Sequence, residues 1–107
     1  MKKIKVIICP AESKPYEAKI DNSLKELQRI VGGYIEAVRV AEDIVAIVNE
    51  EGILRGLPEN RSVLISGLVG DLILCSFDYK GRMRSLSAKA GSFLLEECLK
   101  RWNAQFG

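Results

Sequence analysis

The stretch YKGRMRSLSAK, residues 79–89, holds the densest set of chemically useful side chains. Lys80, Arg82 and Arg84 bring three positive charges to the expected start of a helix. Ser85 and Ser87 add hydroxyls there, and a first helical turn leaves backbone N–H groups unpaired. Such a set binds anions, phosphate above all, because amides, helix dipole and guanidinium groups all favour negative charge. The same residues also read as a solvated basic hairpin edge that discourages strand-to-strand association.

Two further sets could meet a ligand. In Gly32-Gly33-Tyr34-Ile35-Glu36, the glycines allow close approach, Tyr34 offers a ring for stacking, and Glu36 can accept from a base or a sugar hydroxyl. A helix cap followed by a strand start explains Gly32 fully and Gly33 less well. The third set is Asn49-Glu50-Glu51-Gly52 with Asn60-Arg61. Paired acids beside a glycine turn suggest Mg²⁺, but adjacent turn residues rarely converge, so a solvated hairpin tip is the plainer reading. Glu36 or Asn49 can read a polar edge, and Arg61, beside Asn60, can hold phosphate.

Much chemistry is excluded. The chain has no histidine, so a Ser-His or Cys-His nucleophile cannot form. Cys9, Cys75 and Cys98 are odd in number, far apart and each in an apolar run, which predicts buried, reduced thiols. No Walker loop, dinucleotide fingerprint or EF-hand spacing occurs. Nothing selects a carboxylate pair from the fourteen acids. No catalytic residue, metal ligand or cofactor is assigned, and the chain reads as a non-enzymatic protein.

The elements that must position these residues follow from apolar periodicity. The 107 residues fit one domain, 1–107, and 28% of them are charged. A net charge of +2 is too weak to imply nucleic-acid binding and has the wrong sign for a DNA mimic. No run approaches the ~18 apolar residues of a membrane span, and the N-terminal run is too short for a signal-peptide core. The expectation is a soluble protein in the cytoplasm of a bacterial host.

Strands are expected at 3–9, 16–20, 34–40, 44–48 and 72–77, with 53–54 as a short return and 82–84 as a basic link. Ser23 and Glu26 have capping-box spacing, and Leu24, Leu27, Ile30 and Val31 form a helical stripe. A second stripe, Leu95, Cys98, Leu99, Trp102 and Phe106, marks a C-terminal helix capped by Ser85 or Ser87. Gly91 weakens it by ~1 kcal/mol relative to Ala. The fold class is α+β: a mostly antiparallel sheet, a short helix at about 23–31 and a longer one at about 86–104.

Taken together, LKELQRIVGGYIEAVRV, NEEGILRGLPENR and GDLILCSFD are similar to a family of uncharacterised proteins, domain of unknown function 3846. The matching positions are Leu27 and Gly32 to Glu36; Asn49, Glu50, Gly52, Leu54, Gly56, Leu57, Pro58 and Asn60; then Gly70 and Asp71. The resemblance spans roughly residues 3–79, leaving the Trp102-bearing helix outside as an added assembly surface. Its members are small proteins of phages and conjugative elements, and it implies no activity.

That context, with the absent catalytic apparatus, leads to an expected function. It is a homo-oligomeric binding protein that counters host defence by sequestering a small nucleotide signal. Arg82, Arg84 and Arg61 would hold phosphate with the helix-start amides, while Tyr34 would stack on the base. The ligand-binding set is Gly33, Tyr34, Glu36, Asn49, Asn60, Arg61, Arg82, Arg84, Ser85 and Ser87. The alternative is a protein–protein inhibitor or adaptor of a host protein, using a sheet edge or the C-terminal helix with Trp102 and Phe106 as partly exposed anchors, although closing the core is the plainer role for that pair. A nucleic-acid accessory protein is the weakest reading.

Overall fold

The computed structural model describes residues 2–63 and 65–106. Among these, strands β1 (Lys3–Cys9), β2 (Tyr16–Asp21), β3 (Ile35–Ala41), β4 (Ile44–Asn49), β5 (Leu72–Phe77) and β6 (Met83–Arg84) form one sheet. Helix α1 (Leu24–Val31) lies between β2 and β3, and α2 (Ala88–Phe106) closes the chain. Strand order is β2-β1-β5-β4-β3, with β6 paired to β5, and every pairing is antiparallel. The expected α+β architecture is therefore present.

Sequence pattern explains the strand order. All six residues of β4 are buried, and β5 begins with four buried residues. Such continuously apolar strands need cover on both faces, which suits the sheet centre. On one face Leu27 and Val31 of α1 meet Ile4, Ile8, Ile20, Val45, Ile47 and Ile73. On the other, Leu94 and Cys98 of α2 meet Ile7, Cys9, Ala46, Leu72, Leu74 and Leu86. Odd and even positions of β4 and β5 divide cleanly between the two clusters, as a side-chain period of two requires. Each fully buried aliphatic side chain contributes roughly 1.5–3 kcal/mol.

Local signals end most elements where they were expected. Ser23 is the N-cap of α1 and its hydroxyl accepts from the Glu26 amide at 3.2 Å. The Glu26 carboxylate does not complete the box; it pairs with Arg29 at 2.7 Å instead. Gly32 takes the left-handed C-cap conformation, φ 82°, and donates to the Gln28 carbonyl. The expected return strand at 53–54 is absent, because residues 50–56 form consecutive turns. The basic link at 82–84 is the two-residue strand β6. Ser87, not Ser85, caps α2, accepting from the Ala90 amide at 3.0 Å.

Candidate functional site

The expected site residues fall at opposite ends of the sheet. Register places Leu72 of β5 opposite Cys9, and Ser76 opposite Arg84. Tyr34, Asn49, Asn60 and Arg61 sit towards the Cys9–Leu72 end, whereas Arg82, Arg84, Ser85 and Ser87 sit at the other. The length of β5 separates them, about 17 Å at 3.4 Å per residue. Within one chain, therefore, Arg82 and Arg84 do not join Arg61 and Tyr34 on one small ligand.

At the basic end the molecule supplies its own anion. Asp78 Oδ2 accepts from Arg82 Nε at 3.0 Å and from Arg84 Nε at 3.1 Å. Asp78 Oδ1 accepts from the Lys80 and Arg82 amides at 2.9 and 3.0 Å. The Arg82 amide, then the Arg82 side chain, the Lys80 amide and the Arg84 side chain hold the Asp78 carboxyl down at about 2. Ser85 Oγ accepts from the Lys5 amide at 2.9 Å and so staples β1 to the segment before α2. The hydroxyls and guanidinium groups expected to bind phosphate are thus engaged within the chain.

The Gly-Gly-Tyr turn is packed against its own chain. A Cβ on Gly33 would lie 2.9 Å from Asn49 Nδ2 and 3.2 Å from Arg55 Nη1. Asn49 is buried; its Nδ2 donates to the Val31 carbonyl at 3.1 Å and its Oδ1 accepts from the Glu51 amide at 2.8 Å. Arg55 Nη1 donates to the Gly32 carbonyl at 3.0 Å. These two side chains cap the C-terminal carbonyls of α1, and Gly33 gives them room. Tyr34 is 66% exposed at the rim of a shallow dip with Gln28 and Glu51. Glu36 projects beside a different groove, with Val38, Ile53 and Leu54.

Asn60 is a clamp. It is 2% exposed, and its Nδ2 donates to the Cys9 and Gly70 carbonyls at 2.8 and 2.9 Å. Its Oδ1 accepts from the Ser62 amide at 3.1 Å. The Gly70 amide donates to the Pro58 carbonyl, and Glu59 bridges Val69. Asp71 Oδ1 accepts from the Ala11 amide at 2.9 Å. Together these bonds seat the segments carrying Glu12, Glu59 and Arg61 against the end of β1.

Two adjoining clefts open there. The larger, about 490 Å³, is lined by Trp102, Phe106, Arg61, Pro58, Glu59, Ala11 and Glu12. The smaller, about 290 Å³, is lined by Arg61, Arg101, Ser66 and Gln105 among others. Glu59 and Arg61 belong to both. Trp102 and Phe106 stack at 4.1 Å between centroids, one turn apart on α2. Arg61 Nε lies 3.4 Å from Glu59 Oε1, and its Nη1 reaches Gln105 Oε1 at 3.4 Å. Sequence reasoning named Arg61 but missed Glu12, Glu59, Ser66 and Arg101. The signal was the pair of i,i+4 ridges at the end of α2, Arg101–Gln105 beside Trp102–Phe106.

The thiols are closed off, as expected. All three cysteines are free and buried. A hydrogen bond with Cys98, and then burial, push the Cys9 thiol well up, and burial pushes Cys75 up to about 12. Among the described residues, no group of three or more His, Cys, Asp or Glu side chains could hold a metal ion. No helix there is long and apolar enough to cross a membrane.

The family described as Domain of unknown function (DUF3846) matches residues 3–101. The chain belongs to the DUF3846 family. The match runs past β5 and through α2 to Arg101, so most of that helix is part of the DUF3846 domain and not an addition to it. Arg61 and Arg101 lie within the matched region; Trp102 and Phe106 lie just beyond it. No curated protein and no solved structure matches this DUF3846 chain.

Proposed function

We propose that this DUF3846 protein is a non-enzymatic nucleotide-binding protein whose site is the pair of clefts meeting at Arg61. The observation that carries the reading is the adjacency of an aromatic slot and a two-arginine slot. Trp102 and Phe106 offer a face for a base in the larger cleft. Arg61 and Arg101 offer guanidinium groups for phosphate in the smaller one. Glu12 and Glu59 can accept from amino or ribose hydroxyl groups. Both volumes are in or near the range typical of small-ligand sites, roughly 300–1,000 Å³. In a phage or mobile element, such a protein would counter host defence by sequestering a nucleotide signal.

The test is equilibrium dialysis and thermal shift with nucleotides, on the wild type and on Arg61→Ala, Arg101→Ala and Phe106→Ala. Loss of binding in all three, with unchanged circular dichroism, supports the reading. Binding that survives all three places the ligand elsewhere. Recovery of the intact ligand after denaturation separates a trap from a hydrolase.

A second reading, a protein–protein inhibitor or adaptor, is favoured by a different observation. Ile53 and Leu54 are 77% and 88% exposed beside the open edge strand β3. Two exposed apolar side chains beside an open edge suit an added partner strand. Ile53→Asp with Leu54→Asp should abolish capture of a host protein while leaving nucleotide binding intact. Retained capture by that variant rejects the reading.

A further inference from the structure

Charge at the two clefts narrows the ligand class, on the reading that they bind a nucleotide. The cations are Arg61 and Arg101; the anions are Glu12 and Glu59. Glu59 pairs with Arg61 at 3.4 Å and lines both clefts, so the arginine slot has an excess of only one positive charge. Glu12 stands in the aromatic slot, where it repels any second phosphate that reaches past Arg61. A phosphate monoester carries about −1.5 to −2 at neutral pH, and polyphosphates carry more. A phosphodiester carries a single charge and matches the slot. Truncating one partner of a paired charge or adding an unmatched one costs affinity, so the mismatch discriminates.

We infer that the ligand is a nucleotide whose phosphate is a diester, with the base on the Trp102–Phe106 pair and the phosphate between Arg61 and Arg101. Glu59 is the specificity-determining residue, because it sets the charge that the slot tolerates. The segment that carries it is held by the Gly70–Pro58 backbone bond, the Val69 bridge and the Asn60 clamp, and the carboxylate is paired with Arg61, so Glu59 stays at the rim shared by both clefts.

The experiment compares four chemical forms of each of the four common ribonucleosides. These are the nucleoside, the 5′-monophosphate, the 5′-triphosphate and the 3′,5′-cyclic monophosphate. Affinities are measured by titration calorimetry at ~0.15 M salt. At least one diester should bind ten-fold or more tighter than the monophosphate and triphosphate of the same base. Glu59→Gln should narrow that gap five-fold or more by improving the monophosphate, and Arg101→Gln should weaken the diester ten-fold or more. A monophosphate or triphosphate that binds as tightly as every diester overturns the inference while leaving nucleotide binding standing. Absence of binding by every compound overturns both.

Discussion

Asn60→Ala tests the clamp that positions Arg61. The wild-type side chain makes three hydrogen bonds, to the Cys9 carbonyl, the Gly70 carbonyl and the Ser62 amide. It is 2% exposed, so water cannot replace these bonds without opening the end of β1. At about 1 kcal/mol net for each bond, the variant should lose roughly 3 kcal/mol. Natural domains are stable by roughly 5–15 kcal/mol, so this is a large share. The melting temperature should fall by roughly 12–24 °C for a domain of this size. Asn49→Ala, which removes two such bonds, should lose roughly 2 kcal/mol.

Asn60→Asp sharpens the test through its sign. A carboxylate there faces two carbonyls in a buried position, so its folded pKa is raised above the ordinary value of about 3.9. Stability should therefore fall as pH rises above about 4, until the folded pKa is passed, at up to roughly 1.4 kcal/mol per pH unit. Urea unfolding followed by circular dichroism from pH 3 to 8 measures both effects. An Asn60→Ala loss below about 1 kcal/mol, or an Asn60→Asp profile parallel to the wild type, refutes the clamp.

Three other substitutions test neighbouring statements. Gly33→Ala should cost roughly 1–3 kcal/mol in urea unfolding, because the new Cβ meets the fixed Asn49 amide at 2.9 Å; a neutral result means the turn has spare room. Gly91→Ala should stabilise α2 by up to ~1 kcal/mol, because its new Cβ meets only the movable Glu17 carboxylate at 3.3 Å and Leu86 at 3.9 Å; destabilisation would show that this contact cannot yield. Asp78 has a folded pKa near 2 against an ordinary 3.8, so it contributes stability above about pH 4 that is lost as pH falls through 2. Asp78→Asn should flatten the stability profile between pH 2 and 4, and an unchanged slope there rejects that role.

The helices and the main strands were legible because their signals are local. The Leu27–Val31 spacing, the Ser23 cap and a Gly at C′ act within one or two turns. Continuous apolar runs at β4 and β5 required a covered sheet whatever surrounded them. The candidate site was less legible. Arg82, Arg84, Ser85 and Ser87 have the composition of a phosphate site. Composition does not reveal that Asp78 folds back onto both arginines and that Ser85 reaches Lys5, eighty residues away.

The sequence alone determined the two helices, the five main strands, the buried thiols and the lack of histidine chemistry, since these depend on residue identity and short-range periodicity. Tertiary structure alone decided what Gly33 is for and which residues line the clefts at the end of α2. Asn49 fills the space over Gly33 because β4 brings it beneath the end of α1. Asn60 binds the Cys9 carbonyl 51 residues away, which brings Glu59 and Arg61 to the end of α2. Contacts at that separation are set by how apolar faces pack and by the need to satisfy buried polar groups, and no local pattern encodes them.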